Sequence, residues 1–138
     1  MQNWTEEAGV SFHLSSLSDT YNDPSVIGSF NEGQTNMSFG KCASTKSETN
    51  PYVRVDLGQS RVIKSIFLLT GYDPTNESYS ISTSQLYVGN NETRASGNTV
   101  CHKQVHSTGF FDCQASGRYI WLELQGTGQL MMCNIQAF

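Results

Sequence analysis

Asn50-Pro-Tyr-Val-Arg-Val-Asp-Leu-Gly58 is the stretch on which the fold turns. Val53, Val55 and Leu57 alternate strictly with Tyr52, Arg54 and Asp56, the period of two that lets a strand bury one face and wet the other. Arg54, opposite the valines, is expected to pair with a carboxylate such as Asp56 or Glu123 on the sheet surface. Gly58-Gln59-Ser60 is expected to turn the chain into a second strand, Val62–Thr70. Its apolar run Ile66-Phe-Leu-Leu69 predicts a central strand covered on both faces.

Strand signals continue outward. Ser84–Val88 alternates until Gly89-Asn90-Asn91 breaks it, and Tyr119–Leu124 with Leu130–Phe138 predicts a closing hairpin turning at Gly126-Thr-Gly128. Residues 1–50 predict an irregular wrap, because Ser15-Ser-Leu-Ser-Asp19 and Tyr21-Asn-Asp-Pro24 interrupt each short apolar group. The expected architecture is an all-β antiparallel sandwich forming one domain over residues 1–138, a length at which a substantial core can form.

Composition narrows the function classes. The net charge is −4, and the eight Lys and Arg are scattered, so no basic stripe matches a row of phosphates and nucleic acid is not an expected partner. No apolar run approaches the ~20 residues of a membrane helix, and no membrane insertion is expected. Catalysis would need a nucleophile elbow, paired acids or a phosphate-cradling glycine loop. None is found, so the chain is not expected to be an enzyme.

Cys42, Cys101, Cys113 and Cys133 contain no C-x-x-C pair, which favours two disulfides over a zinc or redox site. Cys101 and Cys113 bracket a segment suited to a bridged hairpin, which leaves Cys42 to Cys133. Asn3, Asn36, Asn76 and Asn91 each begin a glycosylation sequon; with the cysteines they point to the secretory pathway, the cell surface or the extracellular space. No signal peptide precedes Met1, so either the chain is a mature fragment or that localisation fails. His102 and His106 have helical zinc spacing but sit in an expected hairpin, and with His13 they are expected to be structural or surface residues.

Three stretches together resemble a known family. Asn50–Gly58, Gly117-Arg-Tyr-Ile-Trp-Leu-Glu-Leu124 and Leu130-Met-Met-Cys-Asn-Ile-Gln-Ala-Phe138 are similar to strands of the galactose-binding-like sandwiches. These include F-type lectins (fucolectins) and the discoidin, or F5/8 type C, domains of coagulation factors. The resemblance implies an eight-stranded jelly roll with ligand-binding loops at one end, and both expected disulfides fall where F-type lectins place theirs.

It also marks departures. Where F-type lectins carry a histidine for fucose, this chain has Ser44 in Cys42-Ala-Ser-Thr45. Where they carry the first arginine of a basic pair it has Gly71, and no Lys, Arg or His occurs between Ser65 and Thr93. The fucose triad is absent. The ligand residues left at the implied rim are Ser44, Lys46, Tyr72, Asp73 and Tyr79, with Tyr72 to stack on an apolar sugar face and Asp73 to accept hydroxyls. The implied cofactor is calcium at a weak site using Asn31, Glu32 and Asn134, with Lys41 beside it opposing the cation. The expected function is a lectin-like adhesion module for a glycan or glycoprotein, within a multidomain or oligomeric protein. The rival is a protein-protein assembly domain without sugar binding. A glycan on Asn76, in the implied ligand loop, would crowd that rim.

Overall fold

The computed structural model describes residues 2–28, 42–70, 83–105 and 108–138. Nine strands are formed among them: β1 (Ser11–Leu14), β2 (Ala43–Ser44), β3 (Glu48–Thr49), β4 (Tyr52–Thr70), β5 (Ser84–Gly89), β6 (Thr99–Val105), β7 (Gly109–Leu124), β8 (Thr127–Gly128) and β9 (Met131–Ala137). The large sheet runs β2-β9-β4-β7-β5-β6 with β1 also on β4, and β3 pairs β8 separately. All pairings are antiparallel.

β4 and β7 form one long ribbon, and its bend divides the sheet into two leaves. Tyr52–Asp56 pairs with Tyr119–Glu123, the register then jumps to Arg61 opposite Gly117, and the ladder continues to Leu68 opposite Gly109. The first half of β4 carries β1 on its free side, and the adjoining half of β7 carries β5, which carries β6. The second half of β4 carries β9, which carries β2. Gly58-Gln59-Ser60, expected as a turn between two strands, is instead a bend inside β4. Gly58 takes φ +81°, open to glycine at little cost, and its N–H donates to the Asp56 carboxylate (2.8 Å). At the same bend Gly117 lies against Gly89, where a Cβ would come within 2.5 Å of backbone.

The core fills the space between the leaves. Val53, Val55, Leu57, Leu86, Val88, Ile120 and Leu122 face Ile63, Ile66, Leu68, Met132, Ile135 and Ala137, and all are buried. Each contributes roughly 1.5–3 kcal/mol of transfer free energy, alanine less. Ile66 and Leu68 point inward as expected. Phe67 and Leu69 are only partly covered, so the strand is central but not dry on both faces.

Both disulfides form as paired by sequence, Cys42–Cys133 and Cys101–Cys113. Cys42 faces Cys133 one step beyond the β2–β9 ladder. Cys101 lies on β6, at the edge of one leaf, and Cys113 on the part of β7 in the other, so this bridge fastens the leaves along one side. The two expected hairpins do not form. β6 pairs with its other sequence neighbour, β5, and β9 crosses to β4 and β2, because along Tyr119–Glu123 both edges of β7 are already taken by β4 and β5. The first fifty residues contribute more than a wrap: Phe12 and Leu14 of β1 pack toward the core from the sheet edge, and Ile27 is fully buried.

Candidate functional site

Folding the ribbon over brings both ends of β4, Tyr52 and Thr70, to the same end of the sandwich. Three described segments are laced together there. Ser18 and Ser44 exchange a backbone bond (2.9 Å) and a hydroxyl contact (2.8 Å), and the Ser44 N–H donates to the Tyr21 carbonyl (2.9 Å). Thr45 N–H donates to the Leu130 carbonyl (2.9 Å) while Leu130 N–H donates to the Thr45 hydroxyl (3.1 Å). Asn50, at φ 51°, exchanges bonds with Gly126: its N–H donates to the Gly126 carbonyl (2.7 Å) and its Oδ1 accepts from the Gly126 N–H (2.8 Å). β3 and β8 extend this seam as a two-residue ladder.

The sequence-derived residues separate on this frame. Ser44 is fully buried and its hydroxyl is engaged by Ser18, so it braces the rim from beneath instead of presenting a group to solvent. Lys46 is exposed, held by its N–H on the Ser16 hydroxyl (2.9 Å), and that hydroxyl also bonds the Glu48 carboxylate. Ser16, 30 and 32 residues away in sequence, thus ties the Lys46 backbone to the Glu48 carboxylate at the rim. Tyr72, Asp73 and Tyr79, in the connection from Thr70 to Ser84, lie outside the described residues, as do Asn31, Glu32, Lys41, Asn36, Asn76 and His106.

Asn134 of the implied calcium set is described. Its Nδ2 donates to the Ile27 carbonyl (2.6 Å), while its Oδ1 is buried without a hydrogen-bond partner. An orphaned buried amide oxygen is a hard donor of the kind calcium takes, so Asn134 fits ligation, and its partners would have to come from beyond the described residues. Among the described residues no group of three His, Cys, Asp or Glu could hold a metal.

The solvent face of the first leaf holds a second, smaller core that sequence reading missed. Tyr87, Tyr119 and Trp121 are buried together with Ala95 of the 90–98 loop that covers them, with Tyr52 packed against the cluster. The Trp121 indole donates to the Asn91 carbonyl (3.1 Å) and Tyr119 to Glu92 (3.2 Å). Arg54 does not pair with Asp56 or Glu123. Its guanidinium donates to the Glu92 carbonyl (2.6 Å) over the Tyr119 and Trp121 rings, 5.8 and 5.6 Å from their centroids. Asp56 is held by Arg118 (2.7 and 3.0 Å), and that bond lowers its carboxyl pKa below the ordinary 3.8. The one available signal was Tyr119-x-Trp121, aromatic on the polar phase of a strand.

Two sequons are built into this framework. Asn3 and Asn91 each accept from the N–H and the hydroxyl of the threonine two residues on, and Asn91 accepts from Arg94 as well. Both thus act as turn formers. His102 lies edge-on to Phe111 (5.1 Å) and exposed His13 lies 6.0 Å from Tyr52. A cleft of about 500 Å³, between β1 and the Pro24–Gly28 turn, is lined by Phe12, Asp23 and Ser25 and lies away from the rim.

A family model described as a NedA-like, galactose-binding domain matches residues 29–122. The chain belongs to that family. Solved structures with the fold of this NedA-like domain include a fucolectin from striped bass serum (Morone saxatilis), with TM-score 0.79 and 20% identity over 99% of this chain. The chain spans 46% of that protein's length. A Streptococcus pneumoniae fucose-binding module has TM-score 0.77 and 14% identity over 100% of this chain and 98% of its own. The family 32 carbohydrate-binding module of Clostridium perfringens NanJ, in complex with galactose, has TM-score 0.64 and 16% identity over 93% and 92%. At these identities the likeness is one of fold. No curated protein matches the sequence. No helix among the described residues is long and apolar enough to cross a membrane.

Proposed function

We propose that residues 1–138 form one extracellular, non-catalytic recognition domain that binds a glycan or glycoprotein at the rim where the two ends of β4 meet. The observation that carries this reading is the laced seam of residues 15–18, 44–50 and 125–130, which holds the exposed Lys46 and the half-buried Glu48 on a framework whose relatives are described as sugar-binding. In this reading Lys46 donates to ligand hydroxyls, Glu48 and Asp73 accept from them, Tyr72 and Tyr79 supply the stacking faces, and buried Ser44 positions the segment that carries Lys46. The imidazole used for fucose by F-type lectins is replaced by Ser44, out of reach of solvent, so the ligand is a sugar read without it.

The rival reading, an assembly domain without sugar binding, is favoured by that same replacement. A glycan array with and without calcium separates the two. Binding that falls at least tenfold in Lys46→Ala and Tyr72→Ala, with an unchanged melting temperature, supports the rim site. A blank array across neutral, sulfated and fucosylated glycans refutes it in favour of assembly.

A further inference from the structure

We propose that the outer face of the second leaf is a homodimer interface built on Phe67, Phe110 and Phe138. Phe110 is 66% exposed and Val62, farther along the same ribbon opposite Ser116, 63%, whereas the other large apolar side chains among the described residues are mostly buried. The three rings form one strip: Phe110 lies 4.9 Å from Phe67 and 6.2 Å from Phe138, centroid to centroid. Their planes are tilted 49° and 38°, so they make no flat platform for a sugar ring, and phenylalanine has no polar handle to orient one. The strip suits another apolar protein surface.

The flanking charges select a second copy of this chain. Exposed Lys64 and Asp112 lie side by side on β4 and β7, at the Ser65–Asp112 register pair, next to the Phe67–Phe110 pair. Among the described residues the one salt bridge joins Arg118 to Asp56, so Lys64 and Asp112 are left without ionic partners. In a face-to-face dimer, a two-fold axis parallel to the ribbon and midway between β4 and β7 exchanges the two strands at constant height. It sets each Phe67 over the other copy's Phe110 and each Lys64 over the other copy's Asp112. A surface that satisfies itself under one rotation is what an isologous contact requires.

With the axis between β4 and β7, these two strands overlap, about 10 Å at ~4.8 Å spacing, which puts the contact at the small end of specific interfaces and makes association weak and concentration-dependent. The axis runs along the strands, so both rims point the same way. With the rim reading above, the dimer presents two sites to one surface and multiplies retention through avidity.

Sedimentation velocity on the unliganded protein from about 1 µM to about 1 mM tests the interface independently of any sugar. The wild type is expected to move from monomer to dimer across this range. Phe110→Ser and Asp112→Lys are each expected to weaken dimerisation at least tenfold. The exchanged pair Lys64→Asp/Asp112→Lys is expected to restore it, and all three sites are exposed, so folding should survive. A wild type monomeric throughout, a Phe110→Ser protein that dimerises normally, or an exchanged pair that stays monomeric overturns the proposal.

Discussion

Removing the two disulfides separately should destabilise the domain unequally, and the order follows from chain topology. Cys42–Cys133 joins residues 91 apart and Cys101–Cys113 residues 12 apart. Constraining the unfolded chain by loops of these sizes contributes about 4–5 kcal/mol and about 3 kcal/mol respectively, so the long bridge should be worth roughly 2 kcal/mol more. Lost packing does not reverse this order, since Cys42 and Cys133 are both buried whereas Cys101 is only partly covered. At roughly 3–4 °C per kcal/mol for a domain of this size, Cys42→Ala/Cys133→Ala should lower Tm by about 15 °C and Cys101→Ala/Cys113→Ala by about 10 °C. Urea titration of the three proteins, followed by far-UV circular dichroism, gives the free energies directly. Equal losses, or a larger loss from the short bridge, would refute the argument from loop closure.

Two further outcomes follow from the solvent face of the first leaf. Arg118 depresses the Asp56 pKa in the folded state, so its stabilisation is complete above the unfolded value near 3.8 and is lost as pH falls through the folded one. Asp56→Asn should therefore flatten the acid limb of stability below about pH 4 while leaving its shape near pH 7 unchanged; a limb as steep as wild type would count against the pair. Asn98 donates to the carbonyls of Asn91, Arg94 and Ala95 and accepts from the Asn91 N–H, so Asn98→Ala should cost about 1–3 kcal/mol and loosen the cover over Trp121. A red-shifted tryptophan emission and faster amide exchange at residues 90–98 are the expected signs, and an unchanged spectrum would show that the loop is held by other contacts.

The strand Tyr52–Leu57 was legible because one face is core and the other solvent, and the alternation survives folding intact. The bend at Gly58 was legible as a break but not as a continuation, since only the tertiary pairing of Arg61 with Gly117 shows that the ribbon carries on. The closing hairpin failed because both edges of β7 along Tyr119–Glu123 are taken by β4 and β5, a nonlocal arrangement that short-range turn signals do not encode, whereas β6 paired with its other sequence neighbour, β5. Cys101–Cys113 was readable from its spacing, though through a hairpin that does not form, and Cys42–Cys133 by elimination, whereas the rim was only half readable. The family resemblance pointed to Ser44 and Lys46, but it could not tell a buried brace from an exposed donor, and the Ser16 hydroxyl reaches Lys46 and Glu48 from about thirty residues away in sequence.

Because β4 and β7 run through both leaves, the sandwich has no seam along which half of it can open while the other half stays shut. Breaking the ladder on one side of the bend removes the template for the other. Amide exchange should therefore find one cooperative unit, with the slowest protons spread along β4 and β7 on both sides of Gly58. Among the described residues, independent fraying would be confined to the pieces that lean on the ribbon without belonging to it: β1, the β3–β8 seam and the 90–98 loop. The rim would then be the part of the molecule most free to adjust around whatever it binds, carried on the part least free to move.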